Sequence, residues 1–213
     1  MTTPWSVPRE WVGETVVILG GGPSMNRATA DYARGKARVI AVNSQGIDVQ
    51  TKGEPIPALA PWADVLYAGD PKWWNDPFNQ PRALAFAGLR VTMRDLIPFP
   101  EVLSLEKSEL RQPYDERPSH IVQGGNSGYQ AIHLAAQFGA KRILLCGYNM
   151  NGGHWFGNYH SRKLNTRPSF STWVTQLSQL FAKLAQMGVE VINCTPHSAM
   201  SCNKRARLEE VLH

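Results

Sequence analysis

Residues 15–25 read Thr-Val-Val-Ile-Leu-Gly-Gly-Gly-Pro-Ser-Met, an unbroken aliphatic run that stops on three glycines. A short run without polar alternation is the pattern of a strand buried on both faces, which confines it to the interior of a parallel sheet. Glycines placed directly after such a strand let the backbone turn tightly and come within contact distance of a ligand. Ser24 is placed to cap a following helix, whose unpaired N–H groups and positive dipole end attract phosphate. The segment is neither of the two familiar phosphate loops. Met25 stands where Gly-x-Gly-x-x-Gly has its third glycine, and the Lys-Ser/Thr of a P-loop is missing. Two readings stay open: a nucleotide or phosphate held by Gly20, Gly21, Gly22, Pro23 and Ser24, or a plain strand-to-helix turn.

The rest of the chain repeats the alternation of strand and helix. Met25–Ala33 reads as a first helix and Arg38–Val42 as a second strand. Asp64–Ala68 follows as a third strand, then a helical stretch at Pro81–Ala87 and a strand at Leu89–Thr92. Residues 94–119 are charged and interrupted by prolines, the pattern of an irregular insertion or lid. Ile121-Val122 precedes Gly124-Gly125-Asn126-Ser127-Gly128 and a helix to Phe138, on which Tyr129, Ile132, His133 and Ala136 share one buried face. Arg142–Cys146 is a further strand. Ser171–Met187 is the most regular helix, with Trp173, Val174, Leu177, Leu180, Phe181, Leu184 and Met187 on one stripe that reads as core. Glu190–Asn193 closes the sheet before a polar tail helix. This order predicts an α/β, Rossmann-like parallel sheet with helices on both faces, a single domain over 1–213. Residues 94–119 and 147–170 are its candidate active-site loops.

Ligands of such sheets lie beyond the carboxyl ends of the strands. The residues that follow the predicted strands are Gly20–Ser24, Asn43-Ser44-Gln45, Asp70 with Trp73-Trp74, Gly125–Gly128, Gly147–Asn151 and Asn193 with Thr195, His197 and Ser198. They are rich in amides, hydroxyls and glycines and poor in carboxylates. Neutral donors and acceptors are what base, ribose and sugar recognition need. A loop of roughly twenty residues then carries His154, Trp155, Phe156, Gly157, Tyr159 and His160, and a loop of that length in a compact domain is more often functional than structural. Its imidazoles, with a reference pKa of ~6.5, suit proton transfer near neutral pH. Simple packing and acid–base work are both open readings. The six-residue offset of His154 and His160 matches no strict zinc spacing, and no metal site is expected.

Composition excludes several classes. No apolar run approaches the ~20 residues of a membrane span, and the first ten residues lack a signal-peptide core, so a cytoplasmic protein with no membrane partner is expected. Three cysteines are too few and too scattered for a disulfide framework. The net charge of +5 points weakly to a polyanion. Basic residues cluster at Arg162, Lys163 and Arg167 and again at Lys204, Arg205 and Arg207. Interleaved with Trp73, Trp74, Trp155 and Phe156, they read as a DNA-binding rim or as ordinary solvated surface.

Several motifs, taken in order, carry a resemblance. Gly22-Pro23-Ser24, Asn43, Asp70-Pro71, Asn126-Ser127-Gly128, Gly147-Tyr148-Asn149, His160-Ser161 and Thr195-Pro196-His197-Ser198 resemble, across nearly the whole chain, the bacterial lipooligosaccharide sialyltransferase family. The skeleton is also similar to the archaeal-type hydroxymethyl-dihydropterin pyrophosphokinase group. Ala60–Asp64, Gly124–Ile132 and His154–Gly157 resemble small tailed-phage proteins of unassigned function, whose location would be the host cytoplasm. The sialyltransferase resemblance implies a nucleotide-sugar-dependent glycosyltransferase. Gly22 to Ser24, Asn43 and Ser127-Gly128 would hold ribose and phosphate, with Ser44, Asp70 and Asn149 beside them. His160 would be the general base, and Tyr148, Trp155 and Tyr159 would be near the leaving phosphate. Asp70 and Gly21 stand where that family has Asn, which leaves the base and sugar open. The phage resemblance implies a modified DNA base as acceptor, or a non-catalytic assembly protein. The pyrophosphokinase resemblance implies a phosphotransferase, and only that reading calls for magnesium.

Overall fold

The computed structural model describes residues 5–93, 98–157, 167–200 and 204–213, with backbone alone at 167–169. Nine parallel strands form one sheet: β1 (Thr15–Leu19), β2 (Arg38–Val42), β3 (Val65–Tyr67), β4 (Leu89–Met93), β5 (Leu103–Lys107), β6 (His120–Ile121), β7 (Arg142–Cys146), β8 (Glu190–Asn193) and β9 (Lys204–Arg205). Their spatial order is β6-β5-β4-β3-β2-β1-β7-β8-β9. The chain thus builds outward in one direction from β1 through β6, then returns to the other side of β1 with β7. The helices are α1 (Arg27–Ala33), α2 (Pro71–Trp74), α3 (Asn79–Leu84), α4 (Ser127–Gln137), α5 (Arg167–Gln186) and α6 (Leu208–Val211), and a 3-10 turn at Asn43–Gln45 follows β2. The α/β parallel architecture expected from the sequence is the one observed.

Both faces of the sheet are covered, which is why the strands read as continuous apolar runs. Val16, Ile18, Ile40, Val42, Ile143 and Leu145 face one layer, together with Leu134 and Phe138 from the α4 segment and Leu177, Leu180 and Leu184 of α5. Val17, Leu19, Val39, Ala41, Leu144 and Cys146 face the other, with Ala30 and Ala33 of α1, Trp73 and Trp74 of α2, and Leu208 of α6. Every residue from Tyr129 to Gln137 is buried, so α4 is enclosed all round rather than on one face.

Several expectations are corrected. The segment expected to be an irregular lid carries β5, hydrogen-bonded between β4 and β6, and extends the sheet. Its far end folds around a buried carboxylate: Asp115 accepts from Ser108 Oγ at 2.6 Å and pairs with Arg117 at 2.6 Å. The Asp115 backbone N–H donates to His133 Nε2 at 2.9 Å. Trp73 and Trp74 are core, not rim, and Trp74 Nε1 donates to Ala68 O at 2.7 Å. Met187 ends the α5 stripe in solvent at 39% exposure. Glu190–Asn193 does not close the sheet, because Lys204 and Arg205 form the edge strand β9 beyond it.

Candidate functional site

The reversal of strand order at β1 and β7 is the point at which an open parallel sheet leaves a crevice beyond its strand ends. β1 and β7 end in register, Leu19 beside Cys146. Their following segments are pinned to one another, since Gly20 N–H donates to Cys146 O at 2.7 Å and Gly22 N–H to Gly147 O at 2.8 Å. Beyond this seam lies a cleft lined by Gly20, Gly21, Gly22 and Pro23, by Val42, Asn43 and Gln45, by Asn126, Ser127 and Gly128, by Gly147–Met150 and Gly152–His154, and by Phe170 and Trp173. Among the described residues, no carboxylate, lysine or arginine lines it.

The glycine turn has a different job from the one its sequence suggests. A Cβ on Gly22 would sit 2.3 Å from Asn149 Oδ1 and 2.5 Å from Gly147 O. Gly22 is therefore required by packing between two loops, before any ligand arrives. A Cβ on Gly21 meets only the side chains of His154 and Gln45, at 3.1 and 3.3 Å. Ser24 is not the helix cap: its N–H and hydroxyl both go to Asn149 Oδ1. Asn26 caps α1 instead, accepting from Thr29 N–H at 2.9 Å, and together with Thr29 it lines a separate hollow with Arg205 and Arg207. The phosphate-attracting helix end expected after the first strand thus lies outside the cleft.

The helix end that does open into the cleft is that of α4. Asn126 caps it, accepting from Tyr129 N–H at 2.9 Å. Ser127 Oγ accepts from Gly69 N–H at 3.1 Å, locking the helix start to the segment after β3. The first backbone N–H groups of a helix have no partner within it. Here those of Ser127 and Gly128 belong to residues lining the cleft, and they offer neutral donors at the positive end of an eleven-residue helix.

Backbone strain collects at the same place. Asn43 and Met150 adopt left-handed φ values of 55° and 53°, and both line the cleft. Asparagine enters this region readily because its short side chain bonds locally, whereas methionine has no such relief.

The other expected residues divide. Tyr148 lines the cleft with its ring buried, but its hydroxyl donates to Gly128 O at 3.0 Å, and burial holds its phenol well above the ordinary range. It forms part of the cleft floor, with its O–H directed to a backbone carbonyl. Trp155 is not among the residues lining the cleft; its ring packs against the α1-side core, and its buried indole nitrogen has no partner among the described residues. Ser44 is buried under Trp73. Asp70 caps α2 by accepting from Lys72 N–H at 2.9 Å and is also absent from the lining. Tyr159, His160, Arg162 and Lys163 lie outside the described residues, as does the Arg167 side chain.

The basic groups near the carboxyl terminus are engaged elsewhere. Lys204 pairs with Glu190 at 3.0 Å and Arg207 with Glu209 at 3.7 Å. Arg205 donates to the Ser198 and Met200 carbonyls.

Further residues complete the lining, among them His154, whose imidazole the sequence left open to acid–base work, and Phe170 and Trp173, which it did not place at a site. Gln45 and Met150 stood at strand ends but formed no motif. His154 comes over the glycine turn, its ring stacked on Phe156 at 5.0 Å. Its Nδ1 lies 3.2 Å from Gly21 O, so Nδ1 carries the proton and Nε2 the lone pair. Desolvation lowers its pKa below 6.5, with the Gly21 carbonyl opposing in part. Trp173 and Phe170, at the start of α5, meet edge to face at 5.2 Å and 84°.

No protein-family model matches the chain, and no curated protein matches it. Among solved structures it is similar to the sialyltransferase CstII from Campylobacter jejuni in complex with a substrate analogue, cytidine-5'-monophosphate. The identity is 16% and the TM-score 0.47, over 92% of this chain and 86% of that one. A likeness of this degree assigns no residue of the cleft a role. Among the described residues, no helix is long and apolar enough to cross a membrane.

Proposed function

We propose that this chain is a glycosyltransferase that binds a nucleotide-sugar in the cleft between β1 and β7. The observation that carries the reading is the start of α4, which opens onto the switch-point crevice among asparagine side chains and glycine backbone. A phosphate there is held by the N–H groups of Ser127 and Gly128 and by the helix dipole. Asn43, Asn126 and Asn149 supply the neutral donors and acceptors that a ribose or sugar requires. The ordered motifs that resemble the sialyltransferase family support the glycosyl part.

In the reaction, an acceptor hydroxyl forms a new C–O bond to the sugar. The bond from that carbon to the donor phosphate breaks, and its electron pair leaves with the nucleotide. The hydroxyl proton goes to a general base, for which we propose His160. His154 is the alternative, since it lines the cleft and its burial favours the neutral imidazole that a base requires. The phosphotransferase reading finds less support, because Asp70, the carboxylate it relied on, is bound to the start of α2.

A panel of nucleotides and nucleotide-sugars, read by thermal shift, tests the proposal. A ligand at ~100 times its Kd stabilises the fold by about 2.7 kcal/mol. If no member raises the melting temperature, the chain is no nucleotide-dependent transferase.

A further inference from the structure

The two walls of the cleft differ in chemistry. Glycine backbone and asparagine amides form one; aromatic carbon forms part of the other. Trp173 stands over Gly125, where a Cβ would lie 2.9 Å from its indole nitrogen. Gly125, at φ +78°, is in a conformation that strains any other residue. A side chain there would push the indole away from the loop that leads into α4. Phe170 meets the indole at 84° and 5.2 Å, a T-shaped contact that braces it at the start of α5. At the glycine turn the setting is different. There His154 stands over Gly21 beside Gln45, and it is the titratable imidazole of the described lining.

We infer that Trp173, braced by Phe170, is the platform on which the nucleobase of the donor stacks, so that the sugar end of the donor points toward Gly21 and His154. This rests on the transferase reading above and adds the orientation of the donor within the cleft. A flat heteroaromatic ring has a π-face whatever its edge pattern, and stacking on tryptophan holds it without ionised partners. An aromatic wall without charged side chains suits a base better than a phosphate. The phosphate has its own place at the adjacent start of α4.

The test compares ligands with and without a base. Binding of cytidine, uridine, adenosine and guanosine 5'-monophosphates and of ribose 5-phosphate is measured by calorimetry on the wild type, Trp173→Ala and Trp173→Phe. Loss of a base stack on alanine substitution corresponds to a roughly 5- to 150-fold weakening. Trp173→Ala is expected to weaken the tightest-binding nucleotide within that range and to leave ribose 5-phosphate within about twofold. Trp173→Phe should retain most of the affinity, and it should lose the ligand-induced fluorescence quenching that a stacked indole gives. Equal weakening of ribose 5-phosphate, or unchanged nucleotide binding in Trp173→Ala, overturns the assignment. Binding of ribose 5-phosphate alone by the wild type also overturns it while leaving a phosphate site at α4. Binding of nothing by the wild type removes the transferase reading and this assignment together.

Discussion

Ser24 gives both its backbone N–H, at 3.2 Å, and its hydroxyl, at 2.7 Å, to Oδ1 of Asn149, a residue 125 positions away. The other end of the same amide donates to Pro196 O at 3.1 Å. One side chain, 4% exposed, thus ties together the segments that follow β1, β7 and β8. Asn149→Ala strands two donors and a carbonyl, and an unsatisfied buried group costs roughly 1–3 kcal/mol. We expect a loss of about 2 kcal/mol in urea unfolding, together with loss of ligand binding in the cleft. Asn149→Asp keeps the acceptor and should fall between. Stability within about 0.5 kcal/mol of wild type in the alanine variant, the scatter of an ordinary surface change, would show that the tie carries no weight.

Neighbouring glycines are expected to fail in different ways. Gly22→Ala drives a Cβ against Gly147 O and Asn149, and overpacking of this kind costs roughly 1–3 kcal/mol. It should lower the melting temperature with or without ligand. Gly21→Ala meets only side chains, so it should melt near wild type while binding the donor more weakly. Thermal melts with and without nucleotide separate the two. A Gly22 variant as stable as wild type would contradict the packing role.

Acid stability should depend on His133. A histidine in the unfolded chain titrates near ~6.5, whereas burial pushes the folded His133 down to about 3. Between these values the unfolded state binds the extra proton. Stability is therefore present above about pH 6.5 and is lost as pH falls toward 3, by about 1.4 kcal/mol per pH unit at most. Asp115 adds to the loss lower down: Arg117, then Ser108, hold its carboxyl well below the usual range. Its contribution disappears as pH falls below ~3.9. His133→Leu should be less stable at pH 7, because the Asp115 N–H loses its acceptor, but its unfolding midpoint should change less between pH 6.5 and 4.5. Parallel profiles for variant and wild type would refute the linkage.

Once a donor and acceptor are found, His160→Ala should lower turnover by ~10²–10⁴-fold with donor binding little changed. His154→Ala is the comparison. If His154 is the base, its variant shows the larger loss, and the wild-type rate falls on the acid side at a pH below 6.5, in keeping with its lowered pKa. Near-normal turnover in both variants would remove histidine from the chemistry.

The strands were legible wherever burial on two faces left nothing but aliphatic residues. Arg38–Val42, Arg142–Cys146 and Glu190–Asn193 lie where the sequence places them. β5 was hidden because Ser104, Glu106 and Lys107 interrupt its apolar pattern and prolines flank it, although Leu105 is completely buried. The strand-end rule located the cleft, since the glycines, Asn43, Asn126–Gly128 and Asn149 all line it. It could not separate lining residues from buried neighbours such as Ser44 and Trp73.

Local pattern determined which segments form the central strands, that the sheet is parallel, and that its strand ends are rich in amides and glycine. Long-range packing decided the rest. Ser24 and Asn26 are both good capping residues, and only the distant Asn149 diverts Ser24 from that task and leaves α1 starting outside the cleft. Periodicity put Trp173 on the same stripe as Leu177 and Leu180, because it reports the face of a helix and not what each turn meets. In the fold, the later turns of that stripe reach the sheet and the first reaches the cleft.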